Sequence, residues 1–155
     1  MDKEMRRNEK AITKEECLEA LAAAEYGVLS TVSTDETPYG VPMNFAYADG
    51  AIYFHCALQG HRLENLEKNK NGCLTVVDSV QLMPEKFSTK FRSVIVFGPV
   101  SIAEDKEEKL KGIRAIAQKF SPQYPKEGEE YIASAFDKMH VLKMDIEKMT
   151  GKATR

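Results

Sequence analysis

Apolar side chains recur every three or four residues in several parts of the chain, which is the spacing of amphipathic helices. The first of these parts opens with Thr13 and Glu16. Their separation fits a capping box, in which each side chain bonds the backbone N–H of the other residue. The pattern predicts three or four helices, over residues 13–25, 61–69, 105–120 and 129–136.

The segments between these helices are rich in β-branched and aromatic residues and are typical of strands. Asp49-Gly50 is a strong hairpin signal and predicts that the apolar runs on its two sides pair with each other. Pro38 and Pro42 lack a backbone N–H, so an open edge or a bulge is expected in their strand. About six strands are predicted, over residues 27–33, 37–47, 51–56, 73–78, 92–103 and 141–149.

Three connections complete this prediction. Asn71-Gly72 is expected to end the second helix, residues 79–90 to form a long loop, and Gly98-Pro99 to form a bulge. Strands that are joined by tight turns run antiparallel, and closure into a barrel removes their exposed edges. A doubly wound parallel sheet needs more helices than the sequence offers. The predicted fold class is mainly β, an antiparallel six-stranded β-barrel with flanking helices.

Composition excludes several classes of function. The 155 residues fit one domain, and the highly charged residues 1–10 are expected to form a solvated tail. A net charge of -2 gives no support to nucleic-acid binding, and no apolar run approaches the ~20 residues of a membrane span. Three cysteines without a CxxC pair argue against structural zinc. Their odd number, without a secretory leader, indicates a reducing compartment and hence a cytoplasmic protein.

The candidate chemistry lies between residues 41 and 66, where a hairpin is followed by a glycine and a helix start. A helix N-terminus presents free N–H groups and a partial positive charge, which favour a bound phosphate. Gly60 allows close approach of the backbone, while His61 and Arg62 add two donors. On spacing alone, basic residues at the start of a short helix more often form a solvated face than a phosphate site. His55 and Cys56 in the preceding strand are, by themselves, more often structural than catalytic.

A resemblance adds to these observations. The stretch VPMNFAY-ADG-AIYFHCALQGHRLENL, followed by FRSVIVFGPV and a closing MDIEKMTGK, resembles the pyridoxamine 5'-phosphate oxidase-like flavoproteins, and within them the nitroimidazole-reductase (Nim-like) branch. The resemblance covers residues from about Met5 to Lys152. It implies an FMN-binding split barrel that forms a homodimer, with two flavin sites at the subunit interface.

The resemblance also implies a site that is built from three parts of the chain. The loop and helix start hold the FMN phosphate, the proline-containing strand carries the flavin ring, and the strand from Phe91 approaches the flavin from the partner subunit. His55 is the expected catalytic residue, and no metal is expected. The expected cofactor-binding residues are Pro42, Met43, Asn44, His55, Cys56, Gly60, His61, Arg62, Arg92 and Ser93.

The leading hypothesis is an FMN-dependent oxidoreductase that passes electrons from a nicotinamide donor to a small planar or nitroaromatic substrate. Asn44 is the expected hydrogen-bond partner of the ring, and residues 79–90 are a candidate cover for it. A non-catalytic flavin- or haem-binding protein on the same barrel is the alternative, because a fold does not fix an activity. A dimerisation module with an empty cleft is a third possibility.

Overall fold

The computed structural model describes residues 3–155, which contain four α-helices and eight β-strands. The helices are α1 (Lys14–Ala23), α2 (His61–Lys68), α3 (Lys106–Phe120) and α4 (Pro125–Ala135). The strands are β1 (Gly27–Val32), β2 (Pro38–Met43), β3 (Ala46–Ala48), β4 (Ala51–Cys56), β5 (Asn71–Met83), β6 (Ser88–Ile102), β7 (His140–Asp145) and β8 (Lys148–Thr154).

Local signals in the sequence account for several of these boundaries. The predicted capping box is confirmed, since Thr13 Oγ1 accepts from the Glu16 N–H and Glu16 Oε2 accepts from the Thr13 N–H. The Asp105 side chain caps α3 in a similar way, by accepting from the backbone N–H of Glu108 at 3.0 Å. Asp49 and Gly50 both have positive φ angles, 47° and 82°, as the tight turn between β3 and β4 requires.

The strands form one antiparallel sheet with the order β2-β1-β5-β6-β7-β4-β3, and β8 pairs with β6 off this path. The mainly-β antiparallel class with flanking helices is therefore confirmed. The predicted six-stranded closed barrel is wrong in two respects, because residues 3–155 form eight strands and the path ends at β2 and β3 without closing. The proline-containing strand β2 is an edge strand, as Pro38 and Pro42 predict.

Two further predictions about the strands are wrong. Residues 79–90 are not a long loop, because β5 and β6 continue through them as a paired hairpin whose turn is Pro84–Phe87. The irregularity that hid this pairing is a register shift between Asp78 and Gln81, where Ser79 has a φ of 59°. The predicted final strand over residues 141–149 is two strands, since the chain breaks between β7 and β8.

The glycine-proline pair in β6 is also not a bulge, because the pairing with β5 continues in register through Gly98 and Pro99. Glycine is needed there for a different reason. A Cβ on Gly98 would lie 1.7 Å from the backbone oxygen of Asp145, so only glycine permits this approach. This close contact occurs where β6 stops pairing with β8 and begins to pair with β7. Likewise, Asn71-Gly72 opens β5 and does not end the helix, since α2 ends at Lys68.

The core has two parts on either side of the sheet. One lies between α1 and strands β1, β4, β5 and β6, and contains Leu21, Leu29, Phe54, Leu74 and Val96. The other lies under α3 and α4, where Tyr53, Ile113, Ile116, Ile132 and Val141 are buried. The apolar face of α3 therefore packs on β3, β4 and β7.

Lys119 joins the C-terminal part of α3 to the first part of the core. Its Nζ donates to the backbone oxygens of Leu21 and Phe45, each at 3.0 Å, and lies 4.0 Å from the centre of the Phe45 ring. Burial disfavours the charged ammonium and lowers the pKa of Lys119 to about 8. The connection from β2 to β3 is thereby tied to α1 and α3.

The two glycines of α3 and α4 give a matched test of core packing. A Cβ on Gly112 would lie 2.6 Å from the Tyr53 ring, whereas one on Gly128 would meet nothing within 4 Å. We expect Gly112→Ala to lower the free energy of unfolding by about 1–3 kcal/mol despite its helix propensity. Gly128→Ala should raise it by up to about 1 kcal/mol. Urea unfolding of both variants measures this, and equal effects would contradict the packing described.

The lowered pKa of Lys119 predicts a pH dependence. Between about pH 8 and the ordinary lysine value of 10.5, the unfolded chain holds a proton that the folded chain has released. The wild-type free energy of unfolding should therefore rise over this window relative to that of Lys119→Met, by at most about 3 kcal/mol. Chemical unfolding of both proteins from pH 7 to 10.5 measures the difference. A difference that stays constant with pH would show that the folded-state pKa is ordinary.

Candidate functional site

The N-terminus of α2 is the centre of the candidate site. Gly60 precedes the helix with a φ of 152°, in the region that favours glycine, and space is open where its Cβ would lie. No side chain caps the helix, so its first N–H groups point away from the helix without a side-chain acceptor. These groups and the partial positive charge of the helix end form a place where an anion can bind.

His61 is held at this helix start by the hairpin of β1 and β2. Its Nε2 lies 3.0 Å from the hydroxyl oxygen of Ser33, and its ring lies against that of Tyr39 with centroids 4.1 Å apart. The residue is exposed, and these two contacts orient its ring at the surface. Neither Ser33 nor Tyr39 was among the predicted site residues, although the β1–β2 hairpin brings both to the same end of the sheet.

Arg62 turns back towards the end of β4. Its Nε is buried, and it has no hydrogen-bond partner among the described residues. A buried donor without an acceptor costs free energy, so this atom is the clearest sign that a group is missing from the site. The guanidinium also lies close enough to the Cys56 thiol to favour its thiolate form, and so opposes the rise in the thiol pKa that burial causes. Gly60, His61, Arg62 and Cys56 are therefore brought together, as the sequence predicts.

One buried hydrogen bond fixes the position of α2. Asn65 Nδ2 donates to Thr31 Oγ1 at 3.0 Å, and both side chains are only 2% exposed. The bond joins the middle of α2 to β1. Sequence reasoning missed both residues, because a polar pair far apart in the chain has no local signature.

His55 and Cys56, at the end of β4, differ in environment. The Cys56 side chain is buried, and desolvation raises the pKa of its thiol even though Arg62 opposes the shift. His55 points to the other face of the strand and is exposed, while partial desolvation lowers its pKa. At neutral pH, His55 is therefore an uncharged imidazole that is open to solvent on the sheet surface.

The predicted ring-binding residues lie at the end of the edge strand β2. Pro42 is exposed, Met43 is buried, and Asn44 follows the strand. The amide nitrogen of Asn44 donates to the Glu25 backbone oxygen at 2.7 Å, which orients the amide and leaves its second N–H and its oxygen for a ligand.

Arg92 and Ser93 lie on β6. The hydrogen bonds of Arg92 go to residues other than those at the start of α2. Its Nη2 and Nε donate to Asp78 Oδ2 at 2.5 and 3.1 Å, and Nη1 lies 3.4 Å from Glu19 Oε2. Within one chain, Arg92 therefore joins the root of the β5–β6 hairpin to α1. Ser93 is half-buried and pairs with Val77 and Lys152.

An open cleft of about 670 Å³ adjoins the other side of Gly60. Leu63 and Leu66 of α2, with Val100 and Ile102 at the end of β6, form its apolar part. Glu64, Glu67 and Glu104 also line it, together with Lys70 and His140. Sequence reasoning missed this cleft, because it depends on where α2 lies relative to the end of β6.

Residues 3–155 contain neither a cluster of metal-ligating side chains nor a membrane-spanning helix. No three histidine, cysteine or carboxylate side chains in this part of the chain lie close enough together to hold a metal ion. No helix within it has the length and apolar character that would cross a membrane.

Comparisons with known proteins agree with this architecture. The sequence model described as pyridoxamine 5'-phosphate oxidase matches residues 13–153. A search of proteins with curated functions found no match. The structure of a candidate 5-nitroimidazole antibiotic resistance protein from Bacteroides thetaiotaomicron is 28% identical, with a TM-score of 0.79 over 92% of this chain and 86% of that one.

Two more distant structures share the fold. A flavocytochrome from Azotobacter vinelandii is 21% identical, with a TM-score of 0.81 over 98% of this chain and 72% of that one. The haem storage protein HutZ from Vibrio cholerae is 13% identical, with a TM-score of 0.67 over 90% and 94%. At these identities, the likeness establishes the split-barrel fold alone.

Proposed function

The chain belongs to the pyridoxamine 5'-phosphate oxidase family, and we propose that it is a flavoprotein that binds FMN and acts as an oxidoreductase. The observation that carries this proposal is the helix start at Gly60, with uncapped N–H groups beside the unpaired buried Nε of Arg62. The phosphate of FMN carries between one and two negative charges near neutral pH. Donors and charge of this kind fit such a group.

Each residue at the helix start has a distinct part in holding the phosphate. Gly60 leaves open space beside the backbone, so that the oxygens can reach the first N–H groups of α2. Arg62 supplies a permanent charge and further donors from a half-buried position. His61 adds a ring that Ser33 and Tyr39 hold in place. An arginine that is already oriented loses less side-chain entropy when it binds an anion.

We propose that the flavin ring lies along the end of β2. This strand is an edge strand, so its backbone groups on one side are not used in the sheet. Pro42 and the amide oxygen of Asn44 are exposed there, and Lys119 and Glu25 fix the adjoining backbone and side chain. We also propose that two copies form a homodimer, with the flavin at the interface and with Arg92 and Ser93 contributed by the partner subunit.

FMN, when bound, supplies the electron transfer between a nicotinamide donor and an acceptor. The part left to the protein is to orient the acceptor and to supply protons. His55 is the candidate for the second task, because it is a titratable side chain that is exposed on the strand beside the site. Its lowered pKa means that the protonated, donating imidazolium is populated mainly in acidic solution. The proposed substrate is a small planar acceptor such as a nitroaromatic, in line with the nitroimidazole resistance protein that the chain resembles.

A protein that binds flavin or haem without turnover is the second candidate. It is favoured by the occurrence of a flavocytochrome and a haem storage protein on the same fold. An exposed histidine such as His55 is also a residue type that ligates haem iron. The two candidates differ in whether the bound group exchanges electrons with a donor and an acceptor.

Exchange of Arg62 tests the phosphate site. We expect Arg62→Glu to weaken FMN binding by about 100-fold or more, because the variant replaces a charged donor with a repelling carboxylate. Lys68→Glu, at the other end of α2, changes the net charge equally and should bind FMN normally. Flavin fluorescence titration measures both affinities, and thermal unfolding checks that both variants fold. Normal binding by a folded Arg62→Glu variant would refute the assignment.

Turnover separates the two candidate functions. We expect the FMN-loaded protein to be reduced by NADH or NADPH and reoxidised by a nitroimidazole, as followed by flavin absorbance. If His55 donates a proton, the reoxidation rate should fall as pH rises through its lowered pKa, and His55→Gln should lose this dependence. A bound flavin that no nicotinamide reduces would leave the binding protein as the better description.

A further inference from the structure

The hairpin of residues 79–90, here called the arm, extends beyond the rest of the sheet. Its paired residues, Gln81–Met83 and Ser88–Lys90, hydrogen-bond only to each other in the part of the chain that the structure describes, whereas β8 joins β6 only from Phe91 onward. Val80 and Leu82 are 59% and 72% exposed. A two-stranded ribbon with apolar side chains in water is marginally stable by itself, so the arm is expected to be covered by another surface.

Phe87, at the tip of the arm, is the most unusual residue of this hairpin. It is completely exposed, and its φ of 48° places it in the left-handed region, where a bulky side chain is disfavoured. Glycine or asparagine would satisfy that turn at a lower conformational cost. An aromatic ring that is held outward at such a position is typical of a residue that binds in a pocket of a partner.

The cleft beside Gly60 has the complementary properties. Its apolar part includes Leu58 and Ile102, which are 47% and 38% exposed. Three glutamates and one lysine line the cleft, together with His140. Over its whole length the arm carries two lysines, Lys86 in the turn and Lys90 at its base, against one carboxylate, Glu85. An arm with an apolar tip and a small net positive charge therefore complements an apolar cleft with excess negative charge.

The arm cannot reach the cleft of its own chain. Phe87 immediately precedes β6, and Ile102 is the last residue of this 15-residue strand, so the two surfaces lie at its opposite ends. At about 3.3 Å per residue, they are separated by roughly 45 Å along the strand. In a closed symmetric dimer whose two-fold axis passed near the middle of β6, the ends of this strand would be exchanged and the tip of each chain would face the cleft of the other.

We propose that the arm of one copy binds in the Gly60 cleft of a second copy, with Phe87 in the apolar part of the cleft, and that the second copy does the same in return. This inference rests on the homodimer of the proposed function and adds which surfaces meet. It does not depend on the flavin. It also gives the arm a function other than covering the flavin ring of its own chain.

Disulfide trapping tests the contact directly. The double variant Phe87→Cys with Leu58→Cys, made in a Cys73→Ser background because Cys17 and Cys56 are buried, should form a covalent dimer on mild oxidation. The matched control joins Phe87→Cys with Tyr131→Cys on α4, where Tyr131 is 60% exposed and lies outside the cleft. We expect the control to remain uncrosslinked under the same conditions.

The molar mass in solution, measured without introduced cysteines, gives a second test. We expect the wild-type protein to be a dimer by light scattering, and Phe87→Asn, which suits the same turn, to raise the dimer dissociation constant about tenfold or more. Tyr131→Ala should leave it unchanged.

Three outcomes would overturn the inference. A monomeric wild-type protein would remove both the proposed dimer and the docking. A dimer that the Phe87–Leu58 cysteine pair does not crosslink would leave the dimer but remove this contact. Crosslinking of the Phe87→Cys variant alone would show that the tips meet each other.

Discussion

The hydrogen bond from Asn65 to Thr31 is the interaction on which the candidate site depends. Both side chains are buried, so loss of either partner would leave a polar group without a partner inside the protein. The bond sets the position of α2 on β1, and that position in turn places Gly60, His61 and Arg62 beside the ends of β1, β2 and β4. An anion site made of a helix end needs this support, because free N–H groups bind well only when they are already in place.

The long strand β6 has an equally central part in the sheet. It pairs with β5 along most of its length, with β8 on its other side, and with β7 after Gly98. Because β6 exchanges partners, the sheet curves while β2 and β3 remain edges. The same strand carries the arm at one end and lines the Gly60 cleft at the other. One element therefore connects the two surfaces that we assign to the contact with a second copy.

The sequence predicted the features that neighbouring residues determine. The capping box at Thr13, the turn at Asp49-Gly50, the edge strand at Pro38 and Pro42, and the α2 start at His61 follow from local chemistry, and the structure contains each of them. The closed barrel, the bulge at Gly98-Pro99 and the loop over residues 79–90 were wrong. Each of these depends on which distant strand lies alongside, and local periodicity carries little information about that.

The residues of the candidate site also fall into two groups, those that local sequence predicts and those that depend on distant contacts. The cluster of Gly60, His61 and Arg62 could be predicted from a glycine and two basic residues at a helix start, whereas Cys56 was expected there from the family resemblance. Ser33, Tyr39 and Asn65 could not, because each acts through a residue that is distant in sequence. The pairing of Arg92 with Asp78 was also missed, although the two residues face each other across the β5–β6 ladder.

Comparison of the affinities of two ligands tests the phosphate site most directly. Calorimetric titration of the flavin-free protein with FMN and with riboflavin isolates the phosphate, because the two ligands share the same ring. If the start of α2 and Arg62 bind the phosphate, FMN should bind about 100-fold tighter or more, a difference of roughly 2.7 kcal/mol. Equal affinities for FMN and riboflavin would contradict the phosphate site and the function that depends on it.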